Sequence, residues 1–428
     1  MVNLHTLVTK IKAQSATPDV LAESLKGMEG SLSNQGLVTQ GMQALDPVQH
    51  SLGYLYLLEA RGCAINLDVP SFVDSALPFV QVCDEQQIRA APHKFVSLCR
   101  KMRECLQGQN QMRRAVLPLR MALAKLAPSP ESLTPLHAEL FQVCLLARTL
   151  NAASGVLDAE VLEIDPVRTA TTARDFLLYC YYGGMVHTGR KQYARALGLF
   201  LHGLTAPTQV VNAITVATYK KYALVSLVHA GEVPPLPKYT ATPVSRCLKT
   251  EAAAYQELAT AYGKPAAGLQ RVAAQHQAVF AEDGNTGLVK LALAAHAMRA
   301  IQRLTQTYMT LPLAAIAAEA GLASAAEAEH YLLRMVDAGD IFAQIDAGPD
   351  MVRFLEDPEA YDSAAAVARI DDAVQRSMAL SQRLQAAHRA VAADRAYLTK
   401  HMARERHARY DDTGDVGGES QIAPYPFF

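Results

Sequence analysis

Thr310 to Leu355 reads TLPLAAIAAEAGLASAAEAEHYLLRMVDAGDIFAQIDAGPDMVRFL, and its punctuation sets the fold class. Pro312 stands where a helix begins, because the N–H it lacks is one that a first helical turn leaves unbonded anyway. The apolar turn through Ile316 stops at Gly321. Ser324 and Glu327 then have the spacing of a capping box. They precede a buried stripe of Leu332, Met335 and Val336, and Gly339 sits where a C-terminal cap is wanted. Asp340 to Ile345 (DIFAQI) and Met351 to Leu355 (MVRFL) bracket a turn at Gly348 and Pro349, which predicts a hairpin. Upstream, GLVKLALAAHAMRAIQRL sets Leu291, Met298 and Ile301 on one side of a helix that leads into a short TYMTL strand. Helix, strand, helix, helix, hairpin is the order of a winged helix.

The chain before this segment has a different period. Apolar residues recur at steps of three and four from the start, with Leu4, Leu7, Val8 and Ile11 as the first stripe. LHAELFQVCLLAR places Leu136, Leu140, Val143 and Ala147 on one helical face. FLLYCYYGGMVHTGRKQYARALGLFLHGLTAP, from Phe176, carries small residues at Gly184 and Ala196, aromatics at Tyr193 and Phe200, and Pro207 as terminator. Small residues where paired helices touch and large ones between pairs are the pattern of a tetratricopeptide-type hairpin. VPPLPK, Val233 to Lys238, is a stiff connector that ends a helix.

These periods predict all-α helical repeats (a TPR-like solenoid) over residues 1–284, then a winged-helix module with a small β-hairpin over 285–362. A long C-terminal helix over 363–409 and a disordered acidic tail over 410–428 complete the chain. Along that helix Val367, Ile370, Val374, Leu384, Val391, Leu398 and Met402 follow a seam of threes and fours. Ser377, Ser381, His388 and Arg395 interrupt it. A seam that polar is expected in a mixed bundle with other subunits; a helix folded back on its own domain has the same spacing.

Composition narrows the function. Of 428 residues half are hydrophobic, so large cores are available, and 40 basic residues nearly cancel 41 acidic ones. That balance lacks the footprint of a broad nucleic-acid binder. On the predicted recognition helix Glu327, Glu329 and Asp337 outnumber Arg334, which sets phosphates against it. The C-terminal helix is more basic and leaves RNA or an acidic partner open. Seven cysteines lack CxxC spacing, as expected of buried thiols in a reducing compartment, and no run approaches a membrane span. The thirteen histidines form neither HxH nor HExxH, and no Walker loop, GxGxxG or GxSxG occurs. Cys99 and His93, six residues apart on one helix, fall on different faces. No catalytic residue, cofactor site or metal site is expected.

The quoted segments, with HSLGYLYLLEA at His50, CYYGGMVHTG at Cys180 and YKKYALVSLVHAGEVPPLPKYT at Tyr219, resemble the PCI family, and within it the third-subunit type of the COP-nine signalosome. The resemblance runs from about Leu45 to Tyr361 and is most specific from Tyr179 to Thr240. Proteasome-lid and translation-initiation-factor subunits share the C-terminal pattern. The resemblance implies a non-catalytic, cytoplasmic and nuclear scaffold in the complex that removes the modifier NEDD-eight from cullins in cullin-RING ubiquitin ligases. It also implies winged helices side by side in a ring, with the first and eighth subunits as neighbours, and a bundle of C-terminal helices. The residues expected to meet partners are Ile341, Phe342, Val352 and Phe354 in the hairpin, divided between core and contact by strand alternation. On the C-terminal helix they are Ile370, Val374, Leu384, Val391 and Leu398.

Overall fold

Ser324 caps the helix Ala325–Ala338: its hydroxyl accepts the Glu327 N–H at 3.2 Å. The Glu327 carboxylate reaches one residue beyond the cap, to the Ala323 N–H at 2.9 Å, so the box closes on the preceding residue. Gly321 and Gly339 end their helices at φ 68° and 74°, where a Cβ would be strained. The computed structural model of the chain describes residues 4–30, 35–346, 350–356 and 362–412. The turn at Gly348 and Pro349 and the tail from Thr413 lie outside the described residues; Tyr410, Asp411 and Asp412, expected in a disordered tail, end a helix instead.

Strands β1 (Thr310–Pro312), β2 (Ala343–Asp346) and β3 (Met351–Phe354) form an antiparallel sheet in the order β1-β3-β2. β2 starts later than DIFAQI predicts, because the Asp340 N–H is already bonded to the Met335 carbonyl at 2.9 Å, closing the preceding helix. Val352 sits opposite both Leu311 and Ile345, at the sheet's centre.

Burial divides the four hairpin residues unevenly. Val352 and Phe354 are two apart on one strand and share a face. Both are buried, as is Ile341, in a core with Leu313, Ile316, Leu332 and Met335. Only Phe342 of the four keeps partial exposure.

Among the described residues before this module the regular elements are helices, as their periods predict. Leu136, Leu140 and Val143 are fully buried. The tetratricopeptide-type hairpin is present as helices Ala173–Gly189 and Tyr193–Thr205. Its close approach is at Gly184, where an added Cβ would strike the Phe200 ring. Five of the seven cysteines are buried free thiols; Cys63 is exposed, against expectation, and Cys247 is partly so.

One buried base ties the repeat's stability to pH. His137, three residues into helix Pro135–Leu146, accepts the Thr134 N–H on Nδ1 at 3.1 Å. Burial pushes its pKa down to about 4. The unfolded chain thus binds more protons between pH 6.5 and about 4, so stability is full above pH 6.5 and falls as pH drops through that window. Glutamine can accept the same N–H without titrating. Between pH 7.5 and 4.5, His137→Gln should lose about 2.5 kcal/mol less unfolding free energy than the parent chain in urea titrations. Equal losses would show that His137 protonates freely in the fold.

Helix Thr286–Thr305 joins the two regions by serving both cores. Val289 and Ala292 pack with Leu224, Tyr255 and Phe280 of the repeats. Ala300 and Ile301 pack with Leu313, Ile316 and Leu332 of the winged helix. A boundary at residues 284/285 falls just ahead of this shared helix, and residues 1–354 form one compact unit. The turn before it is anchored: Lys220 Nζ bonds both Asp283 carboxylate oxygens at 2.8 Å, and the Tyr255 hydroxyl donates to Asp283 at 2.7 Å.

The second unit spans 355–428. Ser363 caps the 30-residue helix Ala364–Ala393. The long helix does not run on to Arg409. Asp394 takes an extended conformation and its carboxylate accepts the Tyr397 N–H at 2.9 Å, so a second helix, Arg395–Asp412, starts there. An aspartate at this position favours a new N-cap over a continued helix.

Candidate partner-docking surfaces

A three-stranded sheet with β3 in the middle leaves two open edges, β1 and β2. Each edge carries backbone N–H and C=O groups that a strand or loop from another chain can bond. β1 is held to β3 from one side, and the Met309 carbonyl accepts the Phe354 N–H at 2.9 Å. Exposed apolar side chains adjoin this edge in sequence: Tyr308 and Met309, the latter 77% exposed. Leu333 is exposed on helix Ala325–Ala338. None of the three was marked by periodicity, because Leu333 is off the buried stripe and Tyr308 and Met309 belong to a segment too short to show a face. On that helix Glu329, Arg334 and Asp337 are exposed, so its open surface carries more acid than base.

The C-terminal helix is the other surface. Ile370, Val374, Leu384, Val391 and Leu398 are all exposed, Leu384 at 70%, and only Ala366 of the helix Ala364–Ala393 is buried. Val367, Ile370, Val374 and Met378 make one seam; Leu380, Leu384 and Val391 make a second, roughly a quarter of the circumference away. Met378 and Leu380 extend the predicted stripe across the polar gaps at Ser377 and Ser381. Leu398 lies on the separate helix after Asp394. The basic side chains are partly neutralised within the helix, as where Arg376 pairs with Asp372 at 2.5 Å.

Groups with reactive side chains are held in unreactive forms. Cys99 is fully buried, and burial pushes its thiol well above its usual range, away from the thiolate that a nucleophile needs. The Cys180 thiol is pushed up to about 12 by burial, and burial raises the Tyr255 phenol. Burial also lowers the pKa of His93, His187 and His296. Among the described residues no group of three or more His, Cys, Asp or Glu is placed to hold a metal ion, and no helix is long and apolar enough to cross a membrane.

Comparison with known proteins gives this arrangement a family. Residues 15–244 match the N-terminal helical repeats of COP9 signalosome complex subunit 3, and residues 273–356 match the PCI domain. The chain is similar to COP9 signalosome complex subunit 3 of Arabidopsis thaliana, 38% identical over 99% of this chain and 98% of that protein. It is 31% identical to the protein of the same name from Dictyostelium discoideum, over 91% of this chain and 94% of that one. A helical-repeat match over half the sequence, a PCI match that starts ahead of the shared helix, and similarity along nearly the full length agree on one assignment: the chain belongs to the COP9 signalosome complex subunit 3 family.

Proposed function

We propose that the chain is a non-catalytic scaffold subunit of the COP9 signalosome, acting in the cytoplasm and nucleus, and that it supports removal of NEDD-eight from cullins in cullin-RING ligases by holding other subunits together. The observation that carries this reading is the 30-residue helix Ala364–Ala393, whose apolar seams are exposed along its length. Leucines, isoleucines and valines at that density are stabilising only where another surface covers them. The helix supplies one member of a shared helical bundle, with its serines and arginines selecting among neighbours. The open sheet edges supply the second kind of contact, toward the first and eighth subunits in a ring of winged helices. Cullin-RING ligases are reached indirectly, through the assembled complex. The match of residues 15–244 favours the signalosome over the proteasome lid or a translation initiation factor. The acid on the exposed side of helix Ala325–Ala338 disfavours a nucleic-acid partner there.

The edge contact has a specific test. Neighbouring residues of an antiparallel strand point their N–H groups in opposite directions. Of Gln344→Pro and Ile345→Pro in β2, one therefore removes an N–H facing β3 and the other an N–H facing outward. The outward substitution should weaken co-purification of the other subunits several-fold while the free chain's thermal unfolding is unchanged. Hydrogen exchange across Ala343–Asp346 is the second readout. Equal exchange in the free and assembled chain would remove the edge from the docking surface.

A further inference from the structure

Helices Ala173–Gly189 and Ala213–His229 begin, and helix Tyr193–Thr205 ends, around an open groove of about 620 Å³. Ile164, Phe176, Leu177 and Pro207 give it an apolar lining; Arg174 and His202 are the only side chains of the lining that can carry charge. Among the described residues no carboxylate lines it. The acids close by in sequence are already engaged: Asp175 with Arg100, Glu163 with the Ser132 hydroxyl at 2.7 Å, and Asp165 with the N–H groups of Val167 and Arg168. Arg174, by contrast, is exposed and makes no ion pair among the described residues. The two helix caps in the wall are internally satisfied, Thr172 by Asp175 at 2.7 Å and Asn212 by the Thr215 N–H at 2.9 Å. The walls are therefore preorganised, and recognition is left to the apolar lining and the two bases.

The same sequence neighbourhood exposes more aliphatic surface than solvent favours. Ile164 in the groove is half exposed; Val167, next to Pro166 of the lining, and Val210, between Thr208 and Asn212, are 88% and 77% exposed. The surface is too small for a membrane, and two bases are too few to follow a nucleic-acid backbone. An apolar lining with uncompensated positive charge at its side fits a peptide that alternates hydrophobic and acidic residues.

We propose that this groove docks an extended acidic and apolar segment of a partner protein, with aliphatic or aromatic side chains against Ile164, Phe176 and Leu177 and a carboxylate against Arg174 and His202. The site lies in the helical repeats, and none of its lining residues belongs to the sheet edges or the C-terminal helix.

The test uses the full chain and a fluorescein-labelled octapeptide, DLEFDLEF, with KLKFKLKF as its charge-reversed control, read by fluorescence anisotropy. Saturable binding with Kd on the order of 100 µM is expected, weakening as salt rises. Two variants probe the groove without touching the core. Ala173→Trp fills the groove from an exposed helix start, and Arg174→Glu reverses the unpaired charge. Each should weaken DLEFDLEF binding about fivefold or more while thermal unfolding and co-purification of other subunits are unchanged. The proposal is overturned if DLEFDLEF does not saturate, if KLKFKLKF binds as tightly, or if neither variant weakens binding. It is also overturned if sedimentation equilibrium shows a dimer of the chain that Ala173→Trp dissociates, since a second copy would then be the occupant.

Discussion

Leu384→Asp, Val391→Asp and Leu398→Asp, combined in one chain, should abolish co-purification of the other signalosome subunits and leave the free chain's thermal unfolding within about two degrees of the parent. The three side chains are 70%, 52% and 41% exposed, so in the free chain they contribute little to any core, and surface substitutions of this kind change stability by about 0.5 kcal/mol or less each. In a bundle the balance reverses. Each buried Leu or Val contributes about 1.5–3 kcal/mol, and a buried unpaired carboxylate adds its own desolvation cost. A loss of about 5 kcal/mol or more lowers an association constant by over three orders of magnitude. A large drop in the free chain's melting temperature would instead assign the helix to its own domain's core. Retained assembly would show that other surfaces hold the subunit in place. The two outcomes separate the two meanings that the same spacing of threes and fours carries in the sequence.

The second large effect lies inside the repeats. Arg100 places Nε 2.9 Å from Glu139 and Nη2 2.5 Å from Asp175, and Arg103 Nε lies 2.6 Å from the other Glu139 oxygen, out of line for a straight hydrogen bond. Glu139 is 7% exposed and Asp175 2%. The network ties helices Pro92–Gly108, Pro135–Leu146 and Ala173–Gly189 together. Removing one partner of a buried pair is more damaging than replacing the whole pair, because the remaining charge stays desolvated and unpaired. Glu139→Ala strips Arg103 of its buried carboxylate and Arg100 of one of two. Because Arg100 is 39% exposed and can recover water, the expected loss is at the lower end for such networks, about 3 kcal/mol in urea unfolding. Asp158→Ala is the matched control: its pair with Arg195 is 2.7 Å long but half exposed on both sides, so its loss should stay below about 1 kcal/mol. Equal losses in the two variants would mean that burial does not set the strength of the Glu139 network.

Local signals were legible in the sequence wherever the physics closes within a few residues. The Ser324 cap, the left-handed glycines at 321 and 339, and the hairpin of β2 and β3 each depend on neighbours close by in the chain. The same local reading placed Leu136, Leu140 and Val143 in the core. It also supported the resemblance that led to the family. It left open which of the hairpin residues Ile341, Phe342, Val352 and Phe354 belong to the core, because hydrophobicity marks a residue for burial without saying which surface buries it. It ran the C-terminal helix through Asp394, since helical periodicity continues across a residue that both ends one helix and caps the next.

The amino-acid sequence alone determined the element types, the winged-helix order, the repeat character of the first two-thirds and the lack of the spacing that zinc hydrolysis and phosphate cradles require. Tertiary structure decided what those elements cover. Arg100 and Asp175 meet across 75 residues, β1 joins the sheet beside β3 across about 40, and the groove beside Arg174 is assembled from three helix ends and a loop. Caps, turns and periods are set by short-range bonds that each segment makes with itself. Burial, edge exposure and unpaired charge are set by which distant segments arrive, and that information is spread over the whole chain rather than held in any stretch of it.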